Sequence, residues 1–159
     1  MSNMTDPMNA LTQLQIALDN GVVLLTPCEI HKELGVIADK PNGTPRFTYA
    51  LIKNGKVQAV SLFALAQPIE GIPCFNIGYA VIEKERGKGI ATQLVKKGID
   101  ELQNGFKRNG IAEFYIEAVV SVSNEPSNKL AEKLISDSPA SGTDCFSGEA
   151  CLQYVRKVK

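Results

Sequence analysis

The segment from Phe75 to Leu102 constrains the fold most, because it joins a strand to a helix through a turn that contains closely spaced glycines. It reads FNIGYAVIEKERGKGIATQLVKKGIDEL, with Gly87 and Gly89 in the turn. Glycines at such a turn leave backbone N–H groups open, and the positive end of the helix dipole adds to them. The turn therefore predicts a site for phosphate and a phosphate-bearing ligand.

The helix that follows the turn is supported by its apolar periodicity. One face collects Ile90, Leu94, Val95, Ile99, Leu102 and Phe106, at the spacing typical of an amphipathic helix. Lys96, Lys97, Asp100 and Glu101 lie off this face. We predict a helix over 89–107 and interpret Gly98 within it as a position of close packing.

Two familiar phosphate motifs do not fit the turn. The dinucleotide fingerprint needs a third glycine where Thr92 stands, and a Walker A loop needs Gly-Lys-Ser/Thr where Gly89 is followed by Ile90. Nucleotide binding is therefore the least favoured functional reading. A turn that only lets a helix begin is the plain structural alternative.

Read from Arg86, the turn is Arg-x-x-Gly-x-Ala, which resembles the acyl-CoA pyrophosphate loop of the GNAT N-acetyltransferases, Gln/Arg-x-x-Gly-x-Gly/Ala. The stretch 76–81 resembles that family's fourth strand. The strand at 114–120, followed by Asn124 and Ser127, is similar to its later motif, in which an Asn leads into a helix. The resemblance covers about residues 47 to 135 in the family's order.

The resemblance implies a site for acetyl-CoA. By position, backbone groups of Val81 and Ile82 would contact pantetheine, and Asn124 and Ser127 would line the far side of the cofactor arm. The pyrophosphate would be held by Arg86, Gly87, Lys88, Gly89, Ile90, Ala91 and Thr92. The structural alternatives are solvated charges for Arg86 and Lys88 and a helix N-cap for Asn124.

The rest of the chain predicts one domain, residues 1–159, of mixed α/β (α+β) class. Further helices are predicted at 7–19, within 27–38 and at 125–136, and strands at 21–25, 47–53, 56–65, 74–82, 114–120 and 150–157, with 144–147 as a partner of the last. Asn54-Gly55 favours a tight hairpin turn. We expect a mostly antiparallel sheet of about six to seven strands flanked by helices, and the resemblance implies a splayed parallel strand pair within it.

Composition narrows the partners and the location. The chain has 17 basic and 17 acidic residues, which argues against a nucleic-acid or anionic-membrane partner. No apolar run approaches the roughly 20 residues of a membrane span, and no signal peptide is recognisable. Four cysteines without a Cys-x-x-Cys pair and a single histidine argue against a metal site. We expect a cytoplasmic protein with reduced thiols.

Acetyl transfer to an amine calls for a base and a proton donor. In the family, a glutamate on the fourth strand often takes the amine proton and a tyrosine on the later helix often protonates the thiolate. Asn76 and Ala131 stand at these positions. Glu117 is a candidate base and Tyr115 or Tyr154 a candidate proton donor, while positioning of the two reactants is a further contribution.

The resemblance implies an acetyl-CoA-dependent N-acetyltransferase that moves an acetyl group directly to a primary amine of a small molecule or peptide. Segments 67–73 and 135–142 are expected to shape the acceptor site. The alternative is a non-catalytic acyl-CoA-binding or sensing domain, which Asn76 and Ala131 favour. A homodimer is possible, since dimers are common in the family.

Overall fold

The protein forms an eight-stranded mixed sheet with three α-helices, in a computed structural model that describes residues 6–143 and 148–159. The helices are α1 (Pro7–Asp19), α2 (Ile90–Arg108) and α3 (Glu125–Leu134). The strands are β1 (Thr26–Pro27), β2 (Leu34–Asp39), β3 (Arg46–Lys53), β4 (Lys56–Leu65), β5 (Cys74–Val81), β6 (Phe114–Ser121), β7 (Ala140–Thr143) and β8 (Ala150–Val158). Their order across the sheet is β1-β2-β3-β4-β5-β6-β8-β7.

The β5–β6 pair is parallel, whereas the other neighbouring strands run antiparallel. The two strands pair only at Cys74↔Tyr115, Phe75↔Ile116 and Asn76↔Glu117. Beyond these residues β5 stays paired with β4 as far as Val81, and β6 stays paired with β8 as far as Ser121. The two strands therefore part in a V. The mixed, mostly antiparallel sheet with a splayed parallel pair is confirmed, and it has one strand more than the upper number expected.

The closed end of this V is held by aromatic side chains. Phe114 of β6 lies 5.1 Å from Phe106 of α2 and 6.2 Å from Phe75 of β5, measured between ring centroids. Phe47 of β3 contacts both Phe75 and Phe106 at about 6 Å. Tilted and edge-on aromatic pairs of this kind add attraction to the burial of their area. The cluster therefore fixes the point from which β5 and β6 diverge.

The helices cover both faces of the sheet. α2 and α3 lie over the larger core, in which Phe63, Val95 and Ile116 are fully buried. α1 packs Ala10, Leu11 and Leu14 against β4 and β5 on the other face. Strand alternation sends neighbouring side chains of β5 and β6 into these two different layers. In the part of the chain described, no helix is both long and apolar enough for a membrane crossing.

The β3–β4 hairpin turns at Asn54-Gly55, as predicted. Both residues have positive φ, 52° and 76°, the conformation of a type I′ turn that Asn-Gly favours. This hairpin continues the run of antiparallel strands that leads from β1 to β5.

Glu101 of α2 is buried, although the helical pattern placed it off the apolar face. Its carboxylate accepts hydrogen bonds from the backbone N–H groups of Glu29, Ile30 and His31, with Ile30 N at 3.0 Å from Oε2. It is 7% exposed. Because several N–H donors satisfy the buried charge, Glu101 ties the loop before β2 to α2.

Two element predictions at the N-terminal end were wrong. The helix predicted within 27–38 is absent, because residues 28–33 form a loop and the segment from Leu34 onward is strand β2, which pairs with β3 from Leu34↔Leu51 to Asp39↔Arg46. Residues 21–25 form no strand. Val23 and Leu25 are half-buried and the residues between and before them are exposed, but the segment packs across β2, where a Cβ added to Gly35 would lie 2.8 Å from the Cβ of Leu25.

The C-terminal hairpin also differs from the prediction. β8 pairs with Ala140–Thr143, whereas the partner strand predicted at 144–147 lies outside the described residues. The strand expected at 150–157 is observed as Ala150–Val158.

Candidate functional site

A cleft of about 770 Å³ opens where β5 and β6 part. One wall is the end of β5, from Tyr79 to Val81, and the opposite wall is α3, from Pro126 to Lys133. The segment 86–92 forms one end, and Asp6 and Met8 at the start of α1 also line the cleft. The splay of the sheet therefore creates a channel beside an unpaired strand edge.

The glycine turn at the end of the cleft has the conformation that its sequence predicts. Gly87 and Gly89 have φ of 79° and 76°, a left-handed region that glycine enters without strain. Gly89 is the N-cap of α2, so no side chain caps the first N–H groups of the helix. Within the described residues, the N–H groups of Gly87, Lys88 and Gly89 bind no hydrogen-bond acceptor. The turn thus presents free donors at a helix N-terminus, where an anion is favoured.

Arg86 stabilises the turn from within the protein. Its Nε donates to the carbonyl oxygen of Val81 at 2.9 Å, and its backbone N–H donates to the carbonyl of Glu83. The guanidinium thereby links the end of β5 to the glycine turn. Its side chain lines the cleft as well.

Several charged side chains line the cleft or lie beside it. Lys88 Nζ lies 2.9 Å from Glu85 Oε2, and this hydrogen bond lowers the pKa of the Glu85 carboxyl. Lys129 and Lys133 of α3 line the cleft, and Lys129 also pairs with Glu125 at 3.2 Å. The lysines of α3 make this wall suitable for an anionic ligand.

Asn124 both caps α3 and lines the cleft. Its Oδ1 accepts from the N–H of Ser127 at 3.2 Å, which is the N-cap bond that the alternative interpretation expected. Ser127 Oγ in turn is hydrogen-bonded to the hydroxyl of Tyr79 on the opposite wall. A chain of polar contacts therefore crosses from the start of α3 to β5.

The structure brings most of the predicted cofactor residues together. Those that line the cleft are Val81, Arg86, Gly87, Gly89, Ile90, Ala91, Thr92, Asn124 and Ser127. Lys88 is directed to Glu85 and does not line the cleft. Ile82 lies outside it too, because its N–H donates to the carbonyl of Gln58 at 3.0 Å and its side chain packs in the layer of α1.

Glu117 lies at the point where the strands part, opposite Asn76 in the β5–β6 register. Its neighbours Ile116 and Ala118 are in the larger core, so alternation directs Glu117 to the face of α1. Its carboxylate accepts a hydrogen bond from Gln153 Nε2. Asn76 is on the same face, and its buried Oδ1 has no hydrogen-bond partner in the described structure. Two polar groups thus meet at the closed end of the V.

Tyr154 and Tyr115 occupy other surroundings. Tyr154 is 2% exposed, and its hydroxyl donates to Asn128 Oδ1 at 2.7 Å. Burial, with a smaller effect from Glu132, raises the pKa of Tyr154. Lys157 Nζ lies 5.4 Å from the ring centre of Tyr115. Neither tyrosine lines the cleft.

Tyr79 was missed by the sequence analysis as a functional candidate. It lies in the strand that resembles the family's fourth strand, two residues before Val81. Because side chains alternate along a strand, Tyr79 shares a face with Val81, which was already assigned to the cofactor arm. That spacing was the available signal.

The chain matches the family model described as "Acetyltransferase (GNAT) family" over residues 22–135. A GNAT acetyltransferase from Streptococcus pneumoniae is 11% identical, with a TM-score of 0.55 and coverage of 99% of this chain and 98% of that one. The ribosomal-protein-alanine N-acetyltransferase from Brucella melitensis is 15% identical, with a TM-score of 0.53 and coverage of 98% and 81%. These two similarities concern the fold.

A third solved structure is the Salmonella typhimurium acetyltransferase that modifies the N-terminal serine of 50S ribosomal subunit protein L7/L12. It is 19% identical, with a TM-score of 0.51, over 72% of this chain and 64% of that one. The region shared with that enzyme is thus under two thirds of the enzyme's length. No curated protein matches the chain. Since the family model covers more than half of its residues, the chain belongs to the GNAT family of acetyltransferases.

Proposed function

We propose that this protein binds acetyl-CoA in the cleft between β5 and β6 and transfers the acetyl group directly to a primary amine. The observation that carries the proposal is the position of the uncapped glycine turn at one end of a cleft that runs along an unpaired strand edge. A cofactor with a pyrophosphate at one end and an amide-containing arm fits both parts.

The pyrophosphate is assigned to the free N–H groups of Gly87 to Gly89 and the first turn of α2, with Arg86 holding the turn in place. Beyond Asn76 the edge of β5 that faces β6 has no partner strand. Backbone groups on such an edge are available to the amides of pantetheine, which is the way an extended ligand adds to a sheet. Asn124 and Ser127 line the opposite side.

The acceptor amine is assigned to the closed end of the V. There Glu117 is proposed as the base that takes the amine proton, and its carboxylate is already oriented by Gln153. The unpaired Oδ1 of Asn76 beside it is suited to accept a hydrogen bond from an amine. Tyr154, the proton donor predicted from the sequence, has its hydroxyl engaged with Asn128 and lies outside the cleft, so we do not assign it that role.

A peptide α-amine is the acceptor that we test first. The Salmonella enzyme is described as modifying an N-terminal serine, and the Brucella enzyme is named for an alanine of a ribosomal protein. Small-molecule amines remain the second class. A cytoplasmic location and a homodimer also belong to this proposal.

Calorimetric titration with CoA and acetyl-CoA, followed by a CoA-release assay on an amine panel, tests the function. The panel should contain peptides that begin with Ser or Ala and small primary amines. We expect saturable binding and CoA release with at least one acceptor. Absence of binding at millimolar CoA would contradict the cofactor assignment. Binding without CoA release on any amine would favour the acyl-CoA-sensing alternative, and stronger thermal stabilisation by ATP or NAD would favour a nucleotide ligand.

Glu117→Gln tests the base. We expect the rate to fall by about 10²–10⁴-fold with loss of the limb that rises toward alkaline pH, while acetyl-CoA binding is kept. Glu113→Gln is the matched control, since Glu113 precedes the same strand and pairs with Lys157 at 3.9 Å. An unaltered pH–rate profile in Glu117→Gln would remove Glu117 from the mechanism.

A further inference from the structure

We propose that the phenol of Tyr79 gives its proton to the sulfur of CoA when the thioester breaks. This inference rests on the proposed function and adds the group that completes the transfer. It starts from the hydrogen bond between the Tyr79 hydroxyl and Ser127 Oγ, which places a phenolic O–H across the cleft.

Tyr79 lies within the open part of β5. The strands part after Asn76, and the carbonyl of Val81 already contacts the glycine turn through Arg86. At about 3.3 Å per residue, Tyr79 is roughly 10 Å from the closed end of the V and roughly 7 Å from Val81. An arm that enters at the turn and ends near Asn76 must therefore pass the side chain of Tyr79.

The hydroxyl of Tyr79 also contacts the face of α3 on which Ala131 stands at the position of the family's usual tyrosine. Ser127 and Ala131 are four residues apart in α3, so their side chains lie on one face of the helix. Ala131 is buried in the core cluster against which Tyr79 packs. Tyr79 thus meets α3 at Ser127, one helical turn before the position where the family often has its tyrosine.

The other three tyrosines of the chain are in different places. Tyr154 donates to Asn128, and the ring of Tyr115 is covered by Lys157. Tyr49 is buried on β3, where its ring packs edge-on against Phe63 at 5.7 Å. In the described structure, Tyr79 alone among the tyrosines lines the cleft.

The partner of Tyr79 is itself held in position. The N–H of Ser127 is fixed to Asn124 Oδ1 at 3.2 Å, and Pro126 restricts the first turn of α3. Ser127 Oγ thus orients the phenol while the cleft is empty. When the sulfur arrives, the phenolic O–H turns from Ser127 to the sulfur.

The proposed step balances. The amine nitrogen forms a bond to the carbonyl carbon, and the C–S bond breaks with its electron pair going to sulfur. The proton of the Tyr79 hydroxyl joins that sulfur, and the surplus proton of the amine leaves through Glu117 to water. The tyrosinate then takes one proton from water at the cleft mouth, so the products are the amide and the free thiol.

Tyr79→Phe is the first test, in full-length protein with the best acceptor of the amine panel. We expect kcat to fall by about 10²-fold or more, while the Kd for CoA changes less than threefold. Tyr49→Phe removes the same atom from a tyrosine outside the cleft and should keep kcat. Wild-type kcat in Tyr79→Phe would overturn the proposal, whereas an inactive wild type would overturn the proposed function itself.

Fluorotyrosine at position 79 tests the proton transfer without removing the side chain, and it serves if Tyr79→Phe fails to fold. A fluorinated phenol ionises at lower pH, so we expect the fall in kcat at alkaline pH to move downward by the same amount. An unmoved profile would show that Tyr79 has only a structural role. Ser127→Ala should reduce kcat less than Tyr79→Phe, and the reverse order would make Ser127 the donor.

Discussion

At the scale of single residues, the glycine turn depends on backbone conformation more than on side chains. Gly87 and Gly89 adopt left-handed φ, and the space beside each is empty, since an added Cβ would meet no atom within 4 Å. Arg86 acts through Val81, and Lys88 is engaged with Glu85. The donors left for an anion are therefore backbone N–H groups. A substitution in the turn can weaken anion binding by changing the backbone φ angle or by placing a side chain where the ligand would lie.

Gly89→Ala is expected to weaken CoA binding by tenfold or more. The methyl group strains a residue at φ 76° and projects where the pyrophosphate should lie. Isothermal titration calorimetry of the variant measures the effect, and Gly89→Val should show a larger loss. Unchanged affinity in both variants would count against the loop assignment.

Gly110→Ala is the matched control for this prediction. Gly110 follows α2, has φ 79°, and also has no neighbour within 4 Å of an added Cβ. It imposes similar backbone strain away from the cleft. We expect a comparable loss of stability, about 1 kcal/mol, with no change in CoA affinity.

The residues of the site were predictable where backbone pattern decides their place. Gly87, Gly89 and Asn124 have conformations or hydrogen bonds that follow from local sequence. The place of Ile82 depends on where β5 ends beside Gln58 of β4, and the open edge of β5 depends on the pairing with β6. Long-range register of this kind cannot be read from local periodicity.

At the scale of elements, α2 is fixed on the sheet by a glycine. A Cβ at Gly98 would lie 2.7 Å from Phe63 and 3.0 Å from Ser61 Oγ, and both of these residues are fully buried on β4. The hydroxyl of Ser61 also donates to the carbonyl of Leu94 at 3.3 Å. This close approach sets the height of α2, and hence of the glycine turn at its N-terminus. The interpretation of Gly98 as a close-packing position is confirmed.

Gly98→Ala is expected to lower the free energy of unfolding by about 1–3 kcal/mol, because the added methyl group would overlap the fully buried side chains of Phe63 and Ser61. Gly105→Ala in the same helix gives the same gain in helix propensity, up to about 1 kcal/mol. Its Cβ would meet only Arg108, at 3.6 Å. Denaturant unfolding of both variants separates packing from propensity. Equal stability of the pair would contradict the close-packing account.

Elements with a strong local signal were predicted, and those defined by their partners were not. α1, α2, α3 and the Asn54-Gly55 hairpin follow from apolar spacing, caps and turn residues. β2 contains Gly35, required by the contact with Leu25, and its strand character comes from pairing with β3. Residues 21–25 alternate like a strand but lack a neighbour along their edge.

At the scale of the whole molecule, the sheet consists of two sections that meet at a narrow seam. β1 to β5 form one section and β6 to β8 the other, joined in the sheet by three residue pairs of β5 and β6. The aromatic cluster of Phe47, Phe75, Phe106 and Phe114 supports this seam. A ligand in the cleft would contact β5 of the first section and α3, which connects β6 to the rest of the second section.

CoA binding should therefore protect both sections together. We expect slower hydrogen exchange in the second half of β5 and in the first turn of α3, with a stability gain of about 2.7 kcal/mol when CoA is at 100 times its Kd. Hydrogen-exchange mass spectrometry with and without CoA measures this. Protection limited to the glycine turn would contradict a ligand that spans the V.

The side-chain Oδ1 of Asn76, which has no hydrogen-bond partner among the described residues, has a consequence for the stability of the protein. A buried acceptor without a partner weakens the empty fold by about 1–3 kcal/mol. Leucine has nearly the same size and would remove that weakness, so selection for thermal resistance alone would favour it. A polar group at the seam is thus a cost to the empty protein, and under the proposed function we expect it to be offset when an N–H group of the acceptor donates to this oxygen.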